Sequence, residues 1–224
     1  RLGSLVYGRL VAAHVDPIEK KPLFHFLPGS RSYSIATVGC NFGCLHCQNA
    51  EISQYPHLHE GQIHGTPTSP EQVVAEAERS GCASISYTYV EPTVFYEFAR
   101  DCGLLAHGRG IRNVFVSNGY LSAEATRDLA TWLDAINIDL KAYTDAFYRQ
   151  VCKARLQPVL DIIRLCHELG LWVEVTTLLI PGQNDSDTEL AALSRWVRDE
   201  LGDETPLHFS AFHPDFKMSD IAST

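Results

Sequence analysis

Strand-like and helix-like segments alternate along most of the chain, and this alternation constrains the fold more than any other feature of the sequence. Strands separated by helices form a mostly parallel sheet with the helices outside it, joined by right-handed crossovers. Six strand-like segments cover 32–38, 82–90, 112–119, 134–140, 171–180 and 206–212. Six units are too few for a closed eight-stranded barrel. We therefore predict an α/β fold, a partial (β/α)6 TIM-like barrel, with an open flavodoxin-like sheet as the alternative.

Residues that precede the alternating pattern are predicted to form a separate extension. They read as two extended pieces around a turn at Asp16-Pro17, which predicts a short N-terminal β-hairpin over residues 1–31. The core domain is then 32–224. Because the chain begins at Arg1 without a methionine, we expect it to be a fragment of a longer chain.

Composition narrows the function classes. The 27 acidic and 18 basic residues give a formal charge of −9, which argues against a nucleic-acid partner because phosphate binding needs a basic face. The sequence has no apolar run of membrane-spanning length, so no membrane partner is expected.

An odd count of seven cysteines does not suggest a disulfide framework, and we expect a reducing, cytoplasmic location. Four scattered cysteines are predicted to be small buried apolar residues: Cys82, Cys102, Cys152 and Cys166.

Polar residues follow the carboxyl ends of the predicted strands, where ligands bind in parallel α/β folds. We expect them to form one functional rim. In chain order they are Cys40, Cys44 and Cys47, then 89–92, Ser117, Asn118 and Gly119, Asp139 and Lys141, 181–185, and 213–215.

Three cysteines, Cys40, Cys44 and Cys47, fall within the stretch "CNFGCLHC" and form a Cys-x3-Cys-x2-Cys motif. A structural zinc site needs four ligands, and either His46 or His57 is an alternative source of the fourth. Zinc fingers, however, usually separate two pairs of ligands along the sequence. An iron–sulfur cube needs a ligand at each of four irons, so three cysteines leave one iron open to a cofactor or substrate.

The cysteine motif resembles that of the radical S-adenosylmethionine (SAM) enzymes, and further blocks extend the resemblance over nearly the whole chain. These blocks include "YTYVEPTVFYEFA", "VSNGYL", "INIDLKAY", "LLIPGQNDS" and "LHFSAFHPDFK". Together they resemble the AmmeMemoRadiSam-system radical enzyme, a relative of the pyruvate formate-lyase activating enzymes. The resemblance implies a partial barrel of the radical SAM type and a radical SAM oxidoreductase.

The resemblance implies that Cys40, Cys44 and Cys47 each bind one iron of a [4Fe-4S] cluster, and that SAM chelates the fourth iron. An electron from the reduced cluster would cleave SAM and produce a 5′-deoxyadenosyl radical, which takes a hydrogen atom from the substrate. His46 stands where relatives carry an aromatic residue that packs beside adenine.

Two rim elements are implied to bind the methionyl part of SAM. Glu91 corresponds to the glutamate of a Gly-Gly-Glu element beside the amino group, with Tyr89 and Val90 in place of the glycines. Capping of the following helix is the structural alternative for Glu91. Ser117 and Asn118 correspond to an element near the carboxylate, although Ser-Asn-Gly is also a good turn sequence.

The remaining rim residues carry further implied roles. Asp139 and Lys141 correspond to an Asp-Leu-Lys element near the ribose and carboxylate, or form an ion pair with each other. Gly182 lies where relatives bring the backbone close to adenine, an approach that glycine permits. Asn184 either binds there or shapes the loop. His213 corresponds to a histidine on the substrate side, with a structural role as the alternative.

The resemblance also implies partners. They are a reducing electron donor of the flavodoxin or ferredoxin type and, as in the activating enzymes, a protein substrate. Two other functions stay open: a radical SAM enzyme that acts on a small molecule, and a zinc- or cluster-stabilised binding protein without radical chemistry. Only the binding protein would keep its function when Glu91 is substituted.

Overall fold

The computed structural model describes residues 4–224, and residues 1–3 of the predicted extension lie outside this range. The strands are β1 (Arg9–Leu10), β2 (Ala12–Pro17), β3 (Arg31–Ala36), β4 (Thr66–Pro67), β5 (Ser84–Tyr87), β6 (Arg112–Ser117), β7 (Ala135–Asp139), β8 (Trp172–Leu179) and β9 (Leu207–Ala211). β1 pairs with β4 in a small sheet, and the other seven strands form one sheet.

The seven-stranded sheet has the order β2-β3-β5-β6-β7-β8-β9. Every neighbouring pair from β3 to β9 is parallel, whereas β2 runs antiparallel to β3 at one edge. The six parallel strands are the six that the sequence predicts. The α/β fold with a partial (β/α)6 barrel is therefore confirmed, with β2 and β9 as the edges of its sheet.

Helices pack against this sheet, and two of them begin at serine residues whose hydroxyls cap the first turn. They are α1 (Ala50–Ser53), α2 (Tyr55–Leu58), α3 (Pro70–Arg79), α4 (Tyr96–His107), α5 (Ala123–Leu129), α6 (Asp145–Phe147), α7 (Leu156–Glu168) and α8 (Asp187–Leu201). Ser69 and Gln72 form a capping box at α3, and the hydroxyl of Ser122 caps α5. A π-helical turn (residues 148–152), called the π-turn below, continues α6. Within residues 4–224, no helix has both the length and the apolar character that a membrane span requires.

The N-terminal hairpin pairs differently from the prediction. Asp16 and Pro17, predicted to form its turn, are instead the last residues of β2. β2 pairs along its whole length with β3, so the hairpin is connected by residues 18–30. Proline is tolerated at the end of an edge strand, and the Asp16 carboxylate binds the buried Lys21 ammonium at 2.7 Å. The extension thus joins the core sheet, and the boundary at residue 31 stays a prediction.

The core between sheet and helices is apolar and aromatic. Trp132 is fully buried, with its ring centroid 5.6 Å from that of Phe115 and 6.1 Å from that of Tyr87. Edge-to-face packing of this kind stabilises a core beyond the burial of area alone. The single cysteines are buried free thiols, as predicted: Cys82, Cys102, Cys152 and Cys166.

The segment of residues 18–26 forms the floor of the barrel, at the amino-terminal end of the parallel strands. Ile18 and Leu23 are fully buried there against Val114 of β6 and Ala135 of β7. This small apolar cluster is separate from the main core. The floor closes the amino-terminal end of the barrel. The polar rim residues lie at the other end, where the carboxyl ends of the strands meet.

Glu174 of β8 fixes the floor segment in place. Its buried carboxylate accepts the backbone N–H groups of residues 24–26, each at 3.0 Å, and the indole N–H of Trp172 at 3.0 Å. Burial alone would raise the pKa of Glu174, but the hydrogen bonds from Trp172, His208 and the backbone outweigh burial and lower this pKa. The carboxylate is therefore ionised at neutral pH and acts as an anchor.

Candidate active site at the carboxyl ends of the strands

The three cysteines lie on the loop between β3 and α1, at the carboxyl end of the first parallel strand. Cys44 is buried and the other two are half-buried. The N–H of Gly43 donates to the carbonyl of Cys152 at 3.1 Å, and the N–H of Leu45 donates to the carbonyl of Val151 at 3.0 Å. The loop is thus fixed by backbone hydrogen bonds to the π-turn.

The environment of the three thiols raises their pKa values. Burial, and then the nearby Glu91 carboxylate, raises the pKa of Cys40 to about 12. A hydrogen bond with the Cys152 thiol, together with burial, raises the pKa of Cys44, and burial raises that of Cys47. Protonated thiols become thiolate ligands when metal cations bind. Assembly of a metal centre on this loop therefore releases protons.

The number of thiols on the loop suits a cube with one open iron. A closed structural zinc site takes four ligands, whereas three cysteines hold three irons of a cube and leave the fourth iron for another ligand. The loop supplies three cysteines, all on the short segment between β3 and α1.

His46 lies beside the cysteines with an unsatisfied polar atom. Its ring is buried, and among the described residues Nδ1 has no hydrogen-bond partner. Burial, reinforced by the nearby Lys141 ammonium, lowers the pKa of His46 to about 3, so the ring is neutral. Buried polar atoms normally have partners, and this orphaned nitrogen fits a bound group beside the loop. His57, the other zinc-ligand alternative, is exposed.

An open cavity of about 280 Å³ adjoins the first cysteine. Its lining includes Val38, Gly39 and Cys40 from the loop, with Pro56 and His57 from α2. The cavity connects the half-buried Cys40 to solvent. A small molecule can therefore approach the cysteine loop without unfolding the core.

Glu91 joins the ends of β5 and β6. Its side chain is 3% exposed, and Oε1 accepts the Thr93 N–H at 3.2 Å and the Ser117 hydroxyl at 3.0 Å. Oε2 accepts the Asn118 N–H at 2.8 Å. The bond to the Thr93 N–H is the helix cap that was the structural alternative for Glu91. Glu91 therefore caps the following helical turn and also contacts Ser117 and Asn118. Burial raises the pKa of Glu91, although these donors oppose it. A carboxylate offers about four acceptor positions, which leaves one for an ammonium group.

Tyr89 keeps a glycine-like backbone where the related element has glycine. Its φ is +64°, a left-handed conformation that costs a non-glycine residue about 1–2 kcal/mol. Its carbonyl accepts the side-chain amide of Asn49 at 2.8 Å. Its hydroxyl donates to Asp16, and the Lys21 ammonium lies 4.4 Å from its ring centroid. Contacts at both ends of the residue hold this conformation.

Asp139 and Lys141 form an ion pair at the end of β7. Lys141 Nζ is 2.9 Å from Asp139 Oδ2, as in the ion-pair alternative. Burial alone would lower the pKa of Lys141, but Asp139 and then the Cys44 and Cys152 thiols raise it. Lys141 is therefore a cation beside the cysteine loop, where it favours thiolates. A direct contact of either residue with SAM stays a prediction.

Three residues that were predicted to lie on the rim, Gly182, Asn184 and His213, have different surroundings in the structure. Gly182 has a φ of +71°, and nothing lies within 4 Å of the position that its Cβ would take. Asn184 is buried, with Oδ1 accepting the Ile180 N–H at 2.7 Å and Nδ2 donating to the Lys141 carbonyl at 2.7 Å. Both ends of the Asn184 amide thus shape the loop, whereas His213 is exposed after β9.

Cys152 and Asn41 are neighbours of the site that sequence reasoning missed. Cys152, predicted as an isolated buried residue, lies close enough to Cys44 for the two thiols to shift each other's pKa, raising that of Cys44 and lowering that of Cys152. Oδ1 of Asn41 accepts the side-chain amide of Asn118 at 2.7 Å, which joins the loop after β6 to the cysteine loop. No local pattern signals these contacts, because they form only when distant segments meet.

Comparison with known proteins agrees with this geometry. Residues 34–193 match the Radical SAM superfamily. An uncharacterized protein of Methanocaldococcus jannaschii is 50% identical over 223 residues, which cover 100% of this chain and 65% of that protein. SuiB of Streptococcus suis, solved with S-adenosylmethionine and with the precursor peptide SuiA, has the same fold. Its SAM-bound structure superimposes with a TM-score of 0.61 at 13% identity, over 83% of this chain and 41% of SuiB.

A second solved structure is a domain of the pyruvate-formate lyase-activating enzyme from Bacteroides vulgatus. It superimposes with a TM-score of 0.55 at 17% identity, over 63% of this chain and 84% of that domain. This chain spans less than two thirds of the length of the curated relatives it matches. The superfamily match covers more than half of the chain and includes all three cysteines of the loop. The chain therefore belongs to the Radical SAM superfamily.

Proposed function

We propose that this chain is the catalytic core of an oxidoreductase that takes a hydrogen atom from a peptide or protein, as the glycyl-radical activating enzymes do. One observation carries the proposal: three thiols lie on one loop at the carboxyl end of the first parallel strand, within the residues that match the Radical SAM superfamily. Membership of that superfamily disfavours the zinc-stabilised binding protein. The narrower resemblance to the AmmeMemoRadiSam-system enzyme is part of this proposal.

As a Radical SAM protein, the chain uses a [4Fe-4S] cluster and SAM, and its residues fit both. We assign one iron each to Cys40, Cys44 and Cys47, which leaves the fourth iron for SAM. When bound, these groups supply the reductive cleavage of SAM that leads to removal of a hydrogen atom from the substrate. The protein supplies position, charge and exclusion of water.

The rim residues orient the cofactor. Glu91 uses its remaining acceptor position for the methionyl ammonium, while its other bonds hold Ser117 and Asn118 in register. The Asp139–Lys141 pair places one group of each charge at the end of β7, close to the cysteine loop. We assign the open space beside Gly182 to the adenine, against the backbone, and we assign the exposed His213 to the substrate side.

A peptide or protein substrate is supported by the structural neighbours. SuiB, which shares the fold, has been solved with a precursor peptide, and the activating-enzyme domain shares it as well. The match to both is at the level of the fold, so the substrate class is proposed from them together with the resemblance of the sequence blocks. A reducing cytoplasmic location is proposed with it, because the cysteine ligands are needed as free thiols.

A basic surface beside the cysteine loop is proposed as the docking site of the electron donor. Arg149, Lys153 and Arg155 line an open cavity of about 450 Å³ with Tyr120. The stem of Lys153 packs on the cysteine loop, with its Cγ 3.3 Å from the position that a Cβ on Gly43 would take. Arg149 is paired with Asp145 at 2.5 Å, so Lys153 and Arg155 supply the positive charge that complements an acidic flavodoxin- or ferredoxin-like protein on a chain of net charge −9.

The docking site has its own test. Lys153→Glu should slow turnover driven by reduced flavodoxin by roughly tenfold, because like charges now oppose docking. Turnover with dithionite should stay unchanged. Arg195→Glu, which makes the same charge change at an exposed residue of α8, is the matched control. Equal slowing with both reductants would contradict the assignment.

The main test is an anaerobic assay for 5′-deoxyadenosine. The reconstituted, reduced protein is mixed with SAM and the product is measured by chromatography. Cys44→Ala should abolish product, whereas Cys82→Ala, a buried cysteine away from the loop, should keep it. Product that persists in Cys44→Ala, or protein that holds zinc in place of the cluster after anaerobic purification, would reject the proposal.

A further inference from the structure

A second group of metal-binding side chains lies at the floor of the barrel, at the opposite end of the strands from the cysteine loop. His25 comes from the floor segment, Glu174 from β8 and His208 from β9. His25 Nδ1 is 3.5 Å from Glu174 Oε2, and His208 Nε2 is 2.7 Å from the same oxygen. All three ligand atoms lie within 4.8 Å of one another. Ligands on one tetrahedral zinc are about 3.3 Å apart, a value that the two distances bracket.

The carboxylate of Glu174 is already oriented for such a role. It is fully buried, and four N–H donors from residues 24–26 and Trp172 hold it. Three of these bonds go to Oε1, so Oε2 is directed at the two imidazoles. N–H donors behind a ligating carboxylate are typical of metal sites in proteins, where they fix the ligand before the ion arrives.

The two imidazoles are placed so that an ion can reach them. Their planes are 22° apart, with centroids separated by 5.8 Å. The His25 side chain is 59% exposed and that of His208 is 17% exposed, so water can occupy a fourth position. A structural hydrogen bond explains the contact between His208 and Glu174. It gives no role to His25, whose Nδ1 approaches the same oxygen.

We propose that His25, Glu174 and His208 bind a divalent ion of the zinc class, with water as the fourth ligand. Two imidazoles and one carboxylate form a donor set that suits zinc. The ion also compensates the charge of a buried carboxylate. It ties the floor segment to β8 and β9. Because this site lies at the opposite end of the barrel, it does not depend on radical chemistry at the rim.

The test uses the full chain with its cluster reconstituted anaerobically. The protein is equilibrated with zinc chloride and desalted, and zinc per chain is measured by mass spectrometry, with the melting temperature as a second readout. His25→Ala removes an exposed ligand without opening the core. His107→Ala is the matched control, because His107 also pairs with a carboxylate, Asp134 at 2.8 Å, but as a single imidazole.

We expect about one zinc ion per chain and a higher melting temperature in the wild type and in His107→Ala. His25→Ala should bind zinc at least about tenfold more weakly. The bound zinc should persist when Cys40, Cys44 and Cys47 are all replaced by alanine. Zinc binding unchanged in His25→Ala, zinc lost with the cysteines, or wild type without zinc would each overturn the proposal.

Discussion

Replacing Gly119 with alanine tests how tightly the Ser-Asn-Gly turn of the candidate site is packed. Gly119 has a φ of +71°, and a Cβ there would lie 2.9 Å from Ile138 Cγ2 and 3.1 Å from Val159 Cγ1. The left-handed backbone costs alanine about 1–2 kcal/mol, and lower entropy of the unfolded chain offsets about 0.4–1 kcal/mol of this. Overpacking against two buried side chains adds about 1–3 kcal/mol. We therefore expect the free energy of unfolding to fall by about 1–5 kcal/mol.

Gly110→Ala is a matched control for the backbone cost. Gly110 has the same φ of +71°, but nothing lies within 4 Å of the position that its Cβ would take. The difference between the two variants isolates overpacking and should be about 1–3 kcal/mol. It is measured by urea unfolding of the cluster-free protein under reductant, where equal slopes make the two free energies comparable.

The Gly119→Ala substitution should also weaken the binding of SAM at the proposed site. The Gly119 N–H donates to the Ser117 hydroxyl at 3.0 Å, so displacing the turn moves a group that is bonded to Glu91. Gly119→Ala in the reconstituted protein should therefore bind SAM more weakly than Gly110→Ala, as measured by calorimetry. Equal unfolding free energies in the two variants would refute the reasoning, because the clash would then be relieved without cost.

Three further predictions concern single side chains. Glu91→Gln should weaken SAM binding by about tenfold or more, because a hydrogen bond to a charged group contributes about 1.5–3 kcal/mol; unchanged affinity in calorimetry would contradict the role proposed for Glu91. Cys152→Ser should keep the full iron and sulfide content, because Cys152 is a neighbour of Cys44 and not an assigned ligand, whereas loss of iron would make it one. Burial alone would raise the pKa of Asp16, but hydrogen bonds from Lys21, Tyr89 and Lys20 lower it. The stability that the Asp16 carboxylate contributes is therefore present above the unfolded pKa of about 3.9 and is lost as pH falls through the folded pKa. Asp16→Asn should therefore lose less stability than the wild type between about pH 6 and about pH 2 in urea unfolding, and parallel pH profiles would contradict this.

The parallel strands were predictable because each is a short apolar run bounded by local signals. The capping residues Ser69 and Ser122 mark helix starts in the sequence and do so in the structure. The rim followed from topology, since the carboxyl ends of parallel strands meet at one edge. The prediction of a turn at Asp16-Pro17 was wrong because the local turn sequence is overridden by other contacts. These are the pairing of β2 with β3 and the ion pair of Asp16 with Lys21.

Contacts between distant segments account for what the sequence could not predict in the site. Asn118 was predicted from its motif, but its bond to Asn41 spans 77 residues and has no sequence signature. The same holds for the contact of Cys152 with Cys44, which depends on where the π-turn lies. The sequence therefore shows which residues can bind a metal ion or donate a hydrogen bond, but only the fold shows which partners they contact.

The floor of the barrel also imposes an order on folding. Its backbone N–H groups at residues 24–26 bond to Glu174, which lies 148 to 150 residues later in the chain. At a synthesis rate of about 5–20 residues per second, the segment waits about 7–30 s before its anchor is made. Closing so long a loop also makes this contact slow to form compared with the hairpin of β2 and β3. The floor segment is thus synthesised well before its anchor and is fixed only after β8 has been made.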